Sequence, residues 1–317
     1  MPAPCRPRIA TLTMNPAIDG ACEAEAVFPT HKIRTHAERY DPGGGGINVA
    51  RVLARLGHAV EVAYLAGGAT GALLDELLDQ HGLERCRIPI HDHTRQSLSV
   101  FERSTGREFR FVPDGPLLAE SEWQAAFDHC LALGREGGPH GWLVASGSLP
   151  RGVPVDFYAR LAQGLAGSGL RLAVDTSGPA LAAAMAAGGL FLAKPSQGEF
   201  EALVGRKLEN AEAVGRAALE LVRAGKAAHV AVSMGHEGAV LAHAGGVLIH
   251  PALDVPVKSA TGAGDSFVAG LLHGFLLGEE AAGALRWAMA AGAAAVLNPG
   301  TDLCHPEDLQ RLHASLA

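Results

Sequence analysis

The feature that most constrains this chain is a set of short, almost wholly apolar runs separated by longer helical patterns. RIATLTM (8–14), VEVAYLA (60–66), WLVAS (142–146), RLAVD (171–175), LFLA (190–193) and HVAVSM (229–234) read as strands. Helix-like stretches lie between them, near 46–56, 71–81, 120–133, 154–167, 197–204 and 210–224. A strand with one wet face alternates apolar and polar residues, whereas one buried on both faces is apolar throughout. The pattern therefore predicts an α/β fold: a parallel sheet covered by helices on both sides. With 317 residues, 48% of them hydrophobic, the chain can bury a large core.

Two segments depart from this pattern. Residues 17–41 and 94–112 are more polar and alternate, as in SLSVFER (97–103) and REFRFV (107–112), with Ser104-Thr105-Gly106 suited to a hairpin turn between them. Strands of this kind have one solvated face and form a small separate sheet, either a lid over a site or an edge hairpin. Small-residue helices dominate 264–297, and Cys304–Ala317 closes the chain.

Several function classes are excluded on composition. A net charge of −7 argues against nucleic-acid binding, which calls for a basic face. Five scattered cysteines, with no CxxC pair, are expected to be reduced thiols in a cytosolic protein. The N-terminal MPAPCRPRIA lacks the apolar core of a signal peptide. The longest apolar runs, Leu181–Ala193 and Trp287–Leu297, fall short of the roughly 18–20 residues of a membrane span. HExxH is absent, and His91-Asp92-His93 reads as a polar loop.

Two glycine-rich stretches carry chemistry. In SATGAGDSFVAG (259–270) a helix starting near Gly264 would leave the amides of Gly262, Ala263 and Gly264 unpaired at its positive end, where they can hold an anion. Asp265 cannot attract a phosphate, but it can accept a proton from an attacking hydroxyl; it could equally serve only as a helix cap. In DPGGGGINVARVLARLG (41–57) four glycines allow close backbone approach, and Asn48 can donate to and accept from hydroxyls. This run is not a dinucleotide fingerprint, because it follows a polar strand and no acid lies about twenty residues on.

TLTMNPAID (11–19), PGGGGINVAR (42–51), SGSLP (146–150) and TGAGDS (261–266) together resemble, in order and spacing, the PfkB or ribokinase-like family of sugar kinases. AGGATG (66–71), TRQ (94–96), FRFV (109–112), VDTSG (174–178), SMGHEG (233–238) and LNPGTDLC (297–304) are most similar to the minor bacterial 6-phosphofructokinases within it. The resemblance spans essentially the whole chain and implies one kinase domain over 1–317: a three-layer α/β/α sandwich with a small β-sheet lid.

What the resemblance implies for residues is specific. Asp265 would be the catalytic base, with Gly262, Ala263 and Gly264 as the anion hole. Asp19, Gly44, Gly45, Asn48 and Ser148 would line the sugar pocket. Arg95 and Arg110, with Lys32 as a weaker third, would hold the phosphate of a sugar phosphate. Glycine at 45, where 1-phosphofructokinases and tagatose-6-phosphate kinases commonly have lysine, favours fructose 6-phosphate without excluding tagatose 6-phosphate. Lys194, Ser196, Ser233, Gly235, Gly238 and Asn298 would border ATP, and Glu199 would organise Mg2+ through water. The family has Asn where this chain has Ser196, which puts Mg2+ affinity in question; K+ beside the anion hole is a further implication. A cytoplasmic homodimer is implied, its lid sheets clasping through Leu98, Val100, Phe109 and Phe111. A phosphosugar-binding protein without catalysis is the alternative from another class.

Overall fold

The computed structural model describes residues 8–136 and 141–316. Its larger sheet runs, edge to edge, through β13 (Gly246–His250), β12 (Ala239–His243), β11 (Ala227–Ser233), β10 (Leu190–Ala193), β9 (Arg171–Asp175), β8 (Trp142–Ser146), β1 (Ile9–Thr13), β4 (Val60–Ala66) and β5 (Glu84–Pro89). The expected central strands are buried on both faces. Every residue of β1, β4 and β8 is buried, and their side chains alternate between two cores. Val60, Val62 and Tyr64 enter one core, and Ala63 and Leu65 the other.

Helices α1 (Gly45–Arg55), α2 (Gly68–Asp79), α8 (Ala263–Leu276), α9 (Ala281–Val296) and α10 (Pro306–Ala314) cover the first face. Helices α3 (Glu120–Glu136), α4 (Phe157–Gly164), α5 (Gly178–Ala187), α6 (Gln197–Val204) and α7 (Ala211–Arg223) cover the second. On α8, Phe267, Val268, Leu271 and Leu272 are buried, each contributing about 2 kcal/mol of apolar burial that fixes where the helix begins.

The sheet is mixed rather than wholly parallel. From β5 to β11 neighbours run parallel, but β11, β12 and β13 pair antiparallel, β11 joined to β12 through 234–238 and β12 to β13 through 244–245. Strands β5 and β13 sit at the two edges, with residues exposed on one side, so neither has the continuous apolar signature of the centre.

A second sheet has the order β3 (Thr35–Gly43), β2 (Ala17–Ala24), β6 (Arg95–Glu102), β7 (Arg107–Phe111), and corresponds to the two polar segments. Gly106 takes the positive φ of the β6–β7 turn, at +70°. Asp19 pairs with Ser97, and Ser99 with Arg110, so these share one face. The other face carries Cys22, Ala24 and Val100, buried in a small core closed by Val27 and Phe109. Val100 therefore packs inside the lid rather than presenting itself to a partner. Tyr40, Leu98 and Phe111, on that same face, remain exposed.

The chain runs outward from β1 to β4 and β5, returns to β8 on the other side of β1, and continues to β11. The order reverses between β1 and β8, and in open α/β sheets ligands bind at the carboxyl ends of the strands beside such a reversal. No helix among the described residues is long and apolar enough to cross a membrane. Cys22, Cys86, Cys130 and Cys304 are free thiols; Cys5 and the N-terminal segment that bears on a signal peptide lie outside the described residues.

Candidate active site

At the reversal the start of α1 lies directly on the end of β8. A Cβ added to Gly45 would stand 2.2 Å from Ser146 Oγ and 3.1 Å from Ser146 Cβ, so no side chain fits there. The Ile47 amide donates to Thr13 Oγ1 at 2.9 Å, locking the helix to β1. These contacts aim Asn48 across the cleft, where its Nδ2 donates to Asp265 Oδ2 at 2.8 Å.

Asp265 stands in the first turn of α8. The helix is capped by Gly262 in the left-handed region, φ +74°, with no side-chain cap bond. A Cβ there would meet Leu303 Cδ2 at 2.5 Å, so glycine is required both by backbone conformation and by space. The Ser266 amide is the first to close an α-helical bond, to Gly262 O at 2.9 Å, while Ala263 makes only a long 3.4 Å contact to Ala260 O. The mouth of α8 thus presents weakly engaged amides at its positive end. Lys194 lies over them: a Cβ on Gly264 would be 3.1 Å from its Nζ.

The charges here are strongly coupled. Burial, and then the charge of Asp175, push the Asp265 carboxyl up to about 7, against the Asn48 bond and the Lys194 charge that pull it down. Burial would strip the Lys194 proton, but the facing Asp175, Asp265 and Glu199 hold its pKa above the ordinary lysine value. Lys194 Nζ is 3.2 Å from Asp175 Oδ1, and Ser146 Oγ donates to Asp175 Oδ2 at 3.2 Å.

On the lid side Asp19 accepts from Ser97 Oγ. Burial raises its pKa, opposed by that bond and by Arg95, Arg110 and Arg51. Arg95 donates to Pro113 O and Asn15 O, each at 2.9 Å, while its buried Nε has no partner. Asn15 Nδ2 donates to Asp114 O at 2.9 Å and Ser148 Oγ at 3.1 Å, and its buried Oδ1 is also unpartnered. Gly44, with φ +114°, caps α1 beneath them. Lys32 lies in the exposed connection between β2 and β3, outside both strands.

The nucleotide-side residues fall on the other flank. Ser196 caps α6, accepting from the Glu199 amide at 3.5 Å, while the Glu199 carboxylate accepts from the Ser196 amide at 2.8 Å. This reciprocal pair is a capping box. Ser233 bridges to Ser196, and Gly235 and Gly238 form the turn after it with positive φ. Asn298 points its amide inward, donating to Ala294 O at 3.2 Å and Leu303 O at 3.0 Å. The turn that follows is tied to the lid: Arg39 donates to Pro299 O, and Thr301 Oγ1 donates to Asp41 Oδ2 at 2.6 Å.

The profile of the pfkB family carbohydrate kinases matches residues 12–308. The chain belongs to this family. It is 40% identical over 315 residues to the ATP-dependent 6-phosphofructokinase isozyme 2 of Escherichia coli K12, covering 98% of this chain and 99% of that one. It is 35% identical to the 1-phosphofructokinase of Rhodobacter capsulatus, covering 96% and 95%. The crystal structure of phosphofructokinase-2 from Escherichia coli in complex with fructose-6-phosphate superposes with a TM-score of 0.91 at 38% identity, over 98% of this chain and 99% of that one.

Three residues of this PfkB kinase sit in the site without having been singled out from sequence. Asn15 and Asp175 lay inside the quoted motifs TLTMNPAID and VDTSG but had no assigned role. Arg51, 2% exposed, donates to Pro42 O at 2.9 Å, Asn48 Oδ1 at 3.4 Å and Asp41 Oδ1 at 3.2 Å. Because Asn48 Oδ1 faces this guanidinium, its Nδ2 is turned toward Asp265. A buried arginine three residues after the asparagine, on one helix face, was the available signal.

Proposed function

We propose that this PfkB kinase transfers the γ-phosphoryl group of ATP to the 1-hydroxyl of fructose 6-phosphate, with lid and sandwich acting as one kinase unit. The observation that carries the reading is the Asp265 carboxylate, held at the open start of α8 between Asn48 and Lys194. A carboxyl raised to about 7 accepts a proton far more readily than an ordinary aspartate. Asp265 takes the hydroxyl proton as the new O–P bond forms and the bond to the ADP oxygen breaks. Charge on the moving phosphoryl group falls where the Gly262, Ala263 and Gly264 amides and Lys194 can meet it.

Asp19, Asn48, Gly44 and Ser148 orient the sugar. Arg95, with its unpartnered Nε, and Arg110 on the same lid face take the 6-phosphate. ATP lies along Lys194, Ser233, Gly235, Gly238 and the Asn298 turn. Asp175 and Glu199 offer hard oxygen donors, and one lysine does not balance them together with Asp265, so the donor set fits Mg2+. Bound there, Mg2+ supplies charge neutralisation to the phosphates. K+ near the same helix mouth belongs to this reading on the family resemblance alone, and so does a cytoplasmic location. The lid is proposed to clasp a second copy through Tyr40, Leu98 and Phe111, exposed at 54%, 40% and 56%.

Tagatose 6-phosphate phosphorylation and 1-phosphofructokinase activity are the rivals within the family. Glycine at 45 weighs less between them than its sequence suggests, since in this chain it also relieves a close contact with Ser146. The deciding experiment measures ADP release with Mg2+ and ATP across fructose 6-phosphate, tagatose 6-phosphate, fructose 1-phosphate and fructose, comparing kcat/KM. Preference for fructose 6-phosphate is expected. A higher value for the epimer or for fructose 1-phosphate overturns the substrate assignment, and no turnover of any sugar favours a non-catalytic binder.

A further inference from the structure

Away from the active site, Glu61, Cys86 and His129 bring three ligand-bearing side chains together, with one ligand atom of each within 4.8 Å of the others. Glu61 is the second residue of β4, and the active site lies beyond the far end of that strand. Cys86 on β5 pairs with Ala63, so it shares a face with Glu61, and α3 lays His129 over both. Glu61 is 7% exposed, while Cys86 and His129 are half-buried and open to solvent.

The hydrogen bonds fix the imidazole. Glu61 Oε1 stands 2.8 Å from His129 Nε2, and its other oxygen accepts from Arg8 at 2.7 Å. With one oxygen already paired to the Arg8 guanidinium, the Glu61 carboxylate is the acceptor in this pair. Nε2 therefore carries the proton, and the lone pair of Nδ1 is directed at Cys86 Sγ, 3.6 Å away. In a tetrahedral zinc site, bonds of about 2.3 Å to sulfur and about 2.1 Å to nitrogen place those two ligands roughly 3.6 Å apart. A carboxylate on the far nitrogen is the usual orienting partner of a metal-bound histidine.

We propose that Cys86 Sγ and His129 Nδ1 bind a borderline-soft divalent cation of the Zn2+ class, with Glu61 orienting the imidazole and the remaining coordination positions taken by solvent. Binding releases the Cys86 proton, leaving a thiolate, a neutral imidazole and a nearby carboxylate around a dication. Because binding releases a proton, affinity rises with pH. The bound ion would join edge strand β5 to α3.

Titration of the full chain with Co2+ tests this. A thiolate-to-cobalt charge-transfer band that saturates at one equivalent and is displaced by Zn2+ is expected. The band should vanish in Cys86→Ser and need at least tenfold more Co2+ in Glu61→Gln. Mg2+-supported kinase activity should be unchanged in both. No band in the unaltered protein, or a band that persists in Cys86→Ser, overturns the proposal. A measurement without variants guards against misfolding: Zn2+ should slow alkylation of Cys86 by iodoacetamide, read by peptide mass spectrometry. An unchanged alkylation rate would count equally against the site.

Discussion

Asp265, the proposed base, shows how one side chain can be costly to the fold and still suit the reaction. Its carboxyl ionises at 3.8 in an unfolded chain and at about 7 in the folded one. Between those values the unfolded state loses a proton that the folded state keeps, so stability falls as pH rises through this window and stays lower above it. Asp265→Asn should therefore cut kcat by about 10³-fold while raising Tm at pH 8, with that gain shrinking toward pH 4. Paired activity and thermal-melt measurements across pH check both halves. In the unaltered enzyme kcat/KM should fall tenfold per unit below about pH 7, because only the ionised carboxylate accepts the proton. Asp265, Asn48 and Lys194 were legible in the sequence because each stands in a motif whose residue types announce their chemistry. Asp175 was not, since an aspartate ending an apolar strand declares nothing until Lys194 is seen 3.2 Å away.

At the level of elements, two helix starts position the machinery. The α6 capping box engages the Glu199 carboxylate with the Ser196 backbone amide, and the Ser196 hydroxyl with the Glu199 amide. Ser196→Asn is expected to lower the Mg2+ concentration for half-maximal activity, and Ser196→Ala to cost about 1 kcal/mol of stability by removing the cap. An unchanged Mg2+ requirement in the asparagine variant would clear the serine of any role in metal affinity. On α1, Arg51→Met should destabilise the fold by about 3 kcal/mol, leaving Asp41 without its guanidinium. It should also move the pH midpoint of kcat/KM upward, since Asn48 would no longer be turned to donate to Asp265. A pure loss of stability, with the midpoint unmoved, would make Arg51 structural only. Strands buried on both faces announced themselves in the sequence. Strands β5, β12 and β13 did not: short runs toward the sheet margin lack a long apolar stretch.

For the whole molecule, the lid is where assembly is proposed. Its outer face holds a closed core of Cys22, Ala24 and Val100 beside exposed Tyr40, Leu98 and Phe111. Alternation in the sequence located this face, but could not say which of its apolar residues the 25–34 connection would cover. Leu98→Asp combined with Phe111→Asp should convert the proposed dimer to a monomer in size-exclusion chromatography with light scattering. The same double change should leave the melting of the sandwich nearly unaltered, because neither side chain reaches its cores. A dimer that survives both aspartates would place the interface elsewhere.

The ties from Arg39 and Asp41 to the 299–301 turn join lid strand β3 to the loop that follows Asn298. Were sugar phosphate and ATP to bind at the proposed positions, these ties would give the two sites a shared element through which each could bias the other. Whatever free energy one substrate contributes to the arrangement of that element, the other receives as a change in its own affinity, by an equal factor in both directions. On the proposed reading, saturating one substrate is expected to change the dissociation constant of the other, and an unchanged value would leave the ties purely structural.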